Sequence, residues 1–427
     1  MSTLERGVSV IKHIDTIIIG GGQSGLSISY YLKRHGVEHS IFEKAPQPAS
    51  AWRSRWDSFT LVTPNWMVNL PGTPYQGDHP DAFMDREEVI AYFESYIEQF
   101  NLPVHYGIQV LSVEPYYAGF LVKTNRGDFS CAHVVVAVGF YQQPRFPPFS
   151  KNCPQEIHQI HSDHYKNPES LPEGGVLVVG SAQSGSQIAE ELNESGRQVY
   201  LSVSSTGRFP RRYRGEDAAV WMKALGYFER TVDQLTSTDA RFASSAHGTG
   251  KNGGHTINLH QFAKDGIVLL GHIRTIKENR VLIEPDLQES LAKADQFERE
   301  FVKEVDQLIQ NTGIKAPQEI LPDMKYGFEV EQILELDLKA AGIRNIVWAT
   351  GYACDYDWVK FPIFGARGLP VHERGITEIP GLFFIGMPFL HSGKSGLLYG
   401  AAEDAAYIAN TIEKEKLELN KLTQSHG

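Results

Sequence analysis

The residues of this chain that could do chemistry are two glycine turns rather than a triad or a carboxylate pair. Asp15-Thr16-Ile17-Ile18-Ile19 runs directly into Gly20-Gly21-Gly22-Gln23-Ser24-Gly25, which has the spacing G-x-G-x-x-G. In such a unit the first glycine (Gly20) allows the tight turn. The second (Gly22) lets backbone approach a pyrophosphate, and the third (Gly25) lets the following helix pack on the strand. The helix start, where Gln23 and Ser24 stand, offers unpaired N–H groups to phosphate. Glu43 closes the next strand 18 positions after Gly25, close to the roughly 20 expected of the carboxylate that binds a ribose hydroxyl pair. This cofactor-binding set, with Lys44 beside Glu43, reads as the adenosine half of a dinucleotide site for FAD.

The pattern returns about 160 residues later. Gly175 to Val179 is an apolar strand, and Gly180-Ser181-Ala182-Gln183-Ser184-Gly185 is its turn, with Ala182 where the middle glycine stood. Repetition of strand, turn, helix and strand in the same order makes the second turn a second dinucleotide site. At the end of its second strand, Gln198 to Val203, stand Ser202, Ser204 and Ser205, and no acid follows before Glu216. Arg208, Arg211, Arg212 and Arg214 follow instead. A carboxylate would repel a ribose 2′-phosphate, whereas hydroxyl and guanidinium groups bind one. The second site is therefore expected to take NADPH, with Ser204, Arg208, Arg211 and Arg212 at the phosphate.

Around these turns the elements fall into place. Helices are expected over Leu26–His35, Asp85–Phe100 (Asp85 as N-cap and Glu88 as capping-box partner), Gln187–Ser195, part of Leu287–Ile309, and Glu403–Lys416. Short strands are expected over Ile108–Val113, Phe120–Thr124 and Cys131–Val138, followed by a linker holding Pro144, Pro147 and Pro148. Ala45 to Pro80, with Trp52, Arg53, Trp56 and Trp66, reads as irregular structure over the first nucleotide site, so Trp52 and Arg53 join the cofactor set.

Composition narrows the function. The 427 residues carry 40 Lys and Arg against 51 Asp and Glu, a net charge of −11, which argues against non-specific nucleic-acid binding. No apolar run reaches the 18 or so residues of a membrane span, and the first apolar run is already the nucleotide strand rather than a leader. Cys131, Cys153 and Cys354 form no C-x-x-C pair. Their scarcity suggests a reducing, cytoplasmic setting, and the chain lacks the dithiol of a flavin disulfide reductase. His158, His161 and His164, spaced i, i+3, i+6 between Pro154 and Pro168, do not converge as metal ligands need to, so no metal is expected.

Over nearly its whole length the sequence resembles the class B flavin-containing monooxygenases, in a bacterial branch. The resemblance rests on the two fingerprints, on Ala349-Thr350-Gly351-Tyr352, and on Pro380-Gly381-Leu382-Phe383-Phe384-Ile385-Gly386. A further family signature between the fingerprints is matched at His161 and Tyr165 and departed from at Gln155 and Ile157. Tyrosine rather than tryptophan at 165 leans away from Baeyer–Villiger chemistry. Many members place an asparagine facing the flavin. Here Val62 takes that position and Asn65 lies three residues on, which leaves it either that role or a turn role.

The resemblance implies an α/β fold of two dinucleotide-binding, Rossmann-like domains. The FAD domain would be discontinuous, residues 1–150 and 325–427, with an NADPH domain, 151–324, inserted. It places Thr350, Gly351, Gly386 and Ser395 at the cofactors, and Asn65, His161 and Tyr165 at the reacting centre. It implies that NADPH reduces FAD and that one atom of O2 passes, through a flavin-peroxide intermediate, to a nitrogen or sulfur of a small-molecule substrate. An NADPH oxidase or dehydrogenase without oxygen transfer, or a flavin-binding redox sensor, stays open as an alternative, as does a homodimeric assembly.

Overall fold

The computed structural model describes residues 11–242 and 246–425. Two five-stranded, all-parallel sheets dominate it, and each is built around one of the glycine turns. In the first, the strands stand in the order Leu382–Phe384, His133–Val136, Thr16–Ile19, His39–Glu43, Val104–Tyr106. In the second, the order is His158–His161, Ile343–Trp348, Gly175–Val179, Val199–Ser202, Val268–Leu270. The two strands that lead into the glycine turns, and Ile343–Trp348 apart from Arg344, are buried on both faces. That burial is why they read as continuous β-branched runs rather than alternating ones.

The second sheet takes one strand from beyond residue 325. Ile343–Trp348 had been placed in the C-terminal part of the FAD domain, yet it pairs with His158–His161 on one side and Gly175–Val179 on the other. It occupies the position that His133–Val136 holds in the first sheet. The segment that follows each of these strands is matched as well, Ala137-Val138-Gly139-Phe140 against Ala349-Thr350-Gly351-Tyr352. A Cβ added at Gly20 would lie 2.6 Å from the carbonyl oxygen of Ala137, and one at Gly180 would lie 2.6 Å from that of Ala349. The A-T-G-Y segment is thus the second unit's copy of the return turn as well as a crossing between units.

Most expected helices form with small shifts. Gln23–Arg34 and Gln183–Glu194 begin earlier than read, directly at their glycine turns. Arg86–Phe100 carries the expected capping box, with the Asp85 side chain accepting from the Glu88 N–H and the Glu88 carboxylate accepting from the Asp85 N–H. Leu287–Thr312 and Ala401–Ser425 run longer than read. The strands expected over 108–138 are four: Val110–Tyr116, Gly119–Thr124 and Gly127–Cys131 join Lys12–His13 in a separate four-stranded sheet, and His133–Val136 belongs to the first parallel sheet. Ala132 divides the last two.

Where the two units meet, the return turns are stitched together. Gln143–Pro144 pairs antiparallel with Tyr352–Ala353, the Arg145 N–H donates to the Gly351 carbonyl at 3.0 Å, and the Thr350 hydroxyl donates to the Arg145 carbonyl. Among the described residues no helix is long and apolar enough to cross a membrane.

Candidate active site: two nucleotide cradles

The first cradle has the shape its sequence requires. A Cβ at Gly25 would lie 1.9 Å from the Gly20 carbonyl oxygen, so only glycine lets helix Gln23–Arg34 sit this close to its strand. At Gly22 the opposite holds, since an added Cβ meets nothing within 4 Å. The helix begins at Gly22 with no side chain capping its N–H groups. An open space in front of uncapped helix N–H groups fits a pyrophosphate. Glu43 is buried beside it: one carboxylate oxygen accepts from the Gly21 N–H at 2.7 Å and the other from the Ala45 N–H at 2.8 Å. Those bonds fix the carboxylate at the mouth of the turn and leave lone pairs for ribose hydroxyls. Lys44, by contrast, is exposed.

The C-terminal turn reaches the same cradle from the other side. A Cβ at Gly386 would come within 2.7 Å of the Ser24 hydroxyl. Gln23 Nε2 donates to the Gly396 carbonyl at 3.1 Å. The Ser395 hydroxyl accepts from the N–H groups of His391 and Ser392, both at 3.0 Å, and so holds the loop 391–396 against the cradle. Trp52 packs against Phe59 and Phe93. Arg53 is bound to the Pro48 carbonyl and to Glu94, so it braces this stretch and presents no free cation.

The second cradle repeats the first with different chemistry at its rim. Gly185 again stands within 1.8 Å, counted from an added Cβ, of the Gly180 carbonyl oxygen. Ala182 begins its helix in the same extended conformation as Gly22 and without a side-chain cap. Ser184 is half-buried in the first turn of that helix. Register sets the rim: Ile19 lies opposite Phe42 and Val179 opposite Ser202. The counterpart of Glu43 is therefore Val203, and that of Lys44 is Ser204. In place of an acid there is a knot of hydroxyls. The Ser204 N–H donates to the Ser181 hydroxyl at 2.8 Å, and the Ser204 hydroxyl lies 3.2 Å from that of Ser181 and 3.1 Å from that of Thr206.

The expectation of several guanidinium groups open to a 2′-phosphate is not what the structure presents. Arg208 is 4% exposed and is held by Asp295 at 2.8 Å and Glu298 at 2.6 Å. Arg211 is 6% exposed and makes a two-toothed pair with Asp217 at 2.6 and 2.7 Å. Arg212 donates to the Gly253 and Gly254 carbonyls. Carboxylates from 87 and 90 positions away along the chain reach Arg208, and a buried charge needs such partners.

The three residues expected at the reacting centre are likewise engaged. Asn65 is buried, its Nδ2 donating to the His79 carbonyl at 3.0 Å and its Oδ1 accepting from the Met84 N–H at 2.7 Å, so it clasps the two ends of the 65–84 loop. His161 is fully buried, and burial lowers its pKa. Its Nδ1 accepts from the Asp163 N–H, which leaves Nε2 to donate to the Gly351 carbonyl at 3.0 Å. Tyr165 is fully buried and donates to Glu191 at 2.8 Å. His161 is thus bound to the return turn after Ile343–Trp348, and Tyr165 to helix Gln183–Glu194.

In the sequence His247, with His255 and His260, flanks a glycine-rich loop, a place open to lining a channel or to a surface role. It is 1% exposed, burial lowers its pKa to about 4, and its Nε2 donates to the Ser181 carbonyl in the second turn. Among the described residues no group of three or more His, Cys, Asp or Glu gathers to hold a metal.

Comparison with known proteins agrees with this geometry. Residues 17–264, more than half of the chain, match the pyridine nucleotide-disulphide oxidoreductase family. A CzcO-like oxidoreductase of Geobacillus kaustophilus is 33% identical over 408 residues, covering 94% of this chain and 99% of its own. A probable indole-3-pyruvate monooxygenase of Arabidopsis thaliana is 27% identical over 416 residues, covering 95% of this chain and 91% of its own. Among solved structures, a flavin-containing monooxygenase from Stenotrophomonas maltophilia aligns with a TM-score of 0.65 at 18% identity, covering 95% of this chain and 99% of that one. FAD and NADPH, the pair read from the two fingerprints, are the cofactors of this group. With both cradles present and a relative matched from end to end, the chain belongs to the pyridine nucleotide-disulphide oxidoreductase family.

Proposed function

We propose that the chain is an NADPH- and FAD-dependent monooxygenase that adds one oxygen atom from O2 to a nitrogen or sulfur nucleophile of a small molecule. The observation that carries this reading is the state of the cysteines beside two complete cradles. Cys131 is buried in the four-stranded sheet, Cys153 packs on the second parallel sheet, and Cys354 lies in the stitched junction. Burial raises all three thiols, Cys153 to about 11. A disulfide-reducing route needs a thiolate, and none is offered.

The chain's own residues bind and orient the cofactors. Gly20 to Gly25 with Glu43 hold the flavin nucleotide. Gly180 to Gly185 with the Ser181, Ser204 and Thr206 hydroxyls hold NADPH. When bound, FAD supplies the hydride and oxygen chemistry. The aromatic wall of Trp66, Phe228 and Tyr399, with Trp66 and Phe228 each set edge-on to Tyr399 at 5.6 Å, lies beside loop 391–396. The FAD unit is taken as discontinuous, with 343–349 moved from its C-terminal part to the inserted NADPH unit.

The test is NADPH consumption by purified protein against panels of amines, thioethers and ketones, with hydrogen peroxide followed in parallel. Oxygenated amine or thioether formed in step with NADPH is the expected result. Full recovery of NADPH equivalents as peroxide with every substrate would overturn it in favour of an oxidase.

A further inference from the structure

Between the cradles runs a continuous line of contacts through one short strap, residues 247–250. On its inner side the strap grips the start of the second cradle's helix. The Gln183 amide makes a two-way pair with the Gly248 backbone, its Nε2 donating to the Gly248 carbonyl and its Oε1 accepting from the Gly248 N–H. His247 donates to the Ser181 carbonyl, and Gln187 donates to the Thr249 hydroxyl at 3.3 Å.

On its outer side the strap lies against the segment 61–84. A Cβ at Gly248 would come within 3.2 Å of the Val62 side chain. One at Gly250 would meet the Leu61 carbonyl oxygen at 2.1 Å and Phe83 at 2.6 Å. Arg211 fastens the same edge: its guanidinium donates to the Val62 carbonyl at 2.8 Å and lies 4.5 Å from the centre of the Phe83 ring. The segment, clasped by Asn65, carries Trp66 and Met67 to the cluster with Leu397 and Tyr399. Gly396, next in that loop, accepts from Gln23 of the first cradle.

We propose that Gln183, the 247–250 strap and Arg211 are positioning elements that tie occupancy of the second cradle to the placement of segment 61–84 beside the first. The proposal rests on the coenzyme reading above. Gln183 stands in the first turn of the helix where the coenzyme's phosphates bind, and its side chain is held by the strap rather than by its own helix. Seating a nucleotide there displaces or tightens the Gln183–Gly248 pair. The strap has no slack to absorb that shift, because Leu61 and Phe83 touch it where only glycine fits. The coupling is reciprocal, so a filled first cradle also favours the coenzyme-ready strap.

Hydrogen exchange read by mass spectrometry on the FAD-loaded, full-length chain tests this, with and without saturating NADP⁺. The peptides spanning 58–84 should exchange at least about 5-fold more slowly with NADP⁺, the lower end of typical coupling factors. In Gln183→Leu, which keeps the backbone of the cradle, that response should fall away even at NADP⁺ concentrations raised, by calorimetry, to saturate the affinity that remains. Phe83→Ala cuts the line on the other side of the strap, leaves the cradle untouched, and should do the same should Gln183→Leu not fold. An unchanged exchange rate in wild type with NADP⁺ bound, or a full response in both variants, would overturn the coupling alone. No NADP⁺ binding to wild type would overturn the coenzyme reading and the coupling with it.

Discussion

Gly22 and Gly25 sit three residues apart in one fingerprint, yet the structure gives them opposite reasons for being glycine, and that difference can be measured. At Gly25 the obstacle is the protein itself, a carbonyl oxygen 1.9 Å from any added Cβ. At Gly22 the protein offers no obstacle within 4 Å, and its φ of −81° and ψ of −173° suit any residue. Gly22→Val should therefore fold, losing no more than about 1 kcal/mol from a poorer helix start. What it removes is the room for the pyrophosphate. Each backbone N–H bond to a charged phosphate is worth about 1.5–3 kcal/mol. Loss of two such bonds amounts to about 3–6 kcal/mol, or roughly 10² to 10⁴ in FAD affinity at 1.36 kcal/mol per decade. The assay pairs thermal unfolding of flavin-free protein with flavin stoichiometry after dialysis. Gly22→Val should keep the unfolding temperature of the flavin-free wild type and come out colourless, whereas Gly25→Ala should unfold early whether or not FAD is present. Wild-type flavin content in Gly22→Val would refute the assignment of that space, and early unfolding of flavin-free Gly22→Val would show that the space is not reserved for a ligand.

Further outcomes follow from the same geometry. Ser204→Asp puts an acid into the hydroxyl knot with Ser181 and Thr206 and should raise the KM for NADPH over that for NADH by roughly 10- to 100-fold, from 1.5–3 kcal/mol per charge-assisted contact; an equal change for both coenzymes would place the 2′-phosphate elsewhere. Arg208→Met takes the guanidinium from Glu298 and leaves Asp295 with only its contact to His260, and should cost up to about 3–5 kcal/mol in urea unfolding, a loss that an exposed phosphate-binding arginine would not show. Tyr165→Phe should lower stability by about 1–3 kcal/mol through the lost bond to Glu191 and leave the rate of flavin reduction by NADPH near wild type. His247 is held neutral, its pKa lowered by burial to about 4. Between that value and about 6.5 the unfolded chain binds the extra proton, so stability should fall as pH drops through this window. His247→Gln should flatten part of that slope, and an unchanged slope would mean other groups carry it.

How much of this was legible in the sequence depends on how far apart the cooperating residues lie. The glycine turns, their helices and the Asp85–Glu88 capping box are local, and spacing alone exposed them. The membership of Ile343–Trp348 in the second sheet was not, because a buried parallel strand carries no mark of which sheet it joins. The likeness of Ala137-Val138-Gly139-Phe140 to Ala349-Thr350-Gly351-Tyr352 was the available clue. Arg208 looked free because its carboxylates stand far along the chain, Asp295 and Glu298 on helix Leu287–Thr312, whereas Asp217, the partner of Arg211, is only six residues on. Asn65 was read with two roles open, and the structure fills its amide with backbone partners from 79 and 84, a loop closure that no periodicity announces.

The order of strands in the two sheets also sets a timetable for the growing chain. The second sheet has its last strand once Trp348 has emerged, whereas the first waits for Leu382–Phe384 to pair beside His133–Val136. On a ribosome adding about 5–20 residues per second, the N-terminal half-sheet must pass through that interval with one edge of His133–Val136 unpaired. Gly386 and Gly396, which complete the first cradle, arrive later still. Flavin capture is thus a late event in biogenesis: the interval in which the growing chain exposes a parallel edge ends before the cradle that holds the flavin can close.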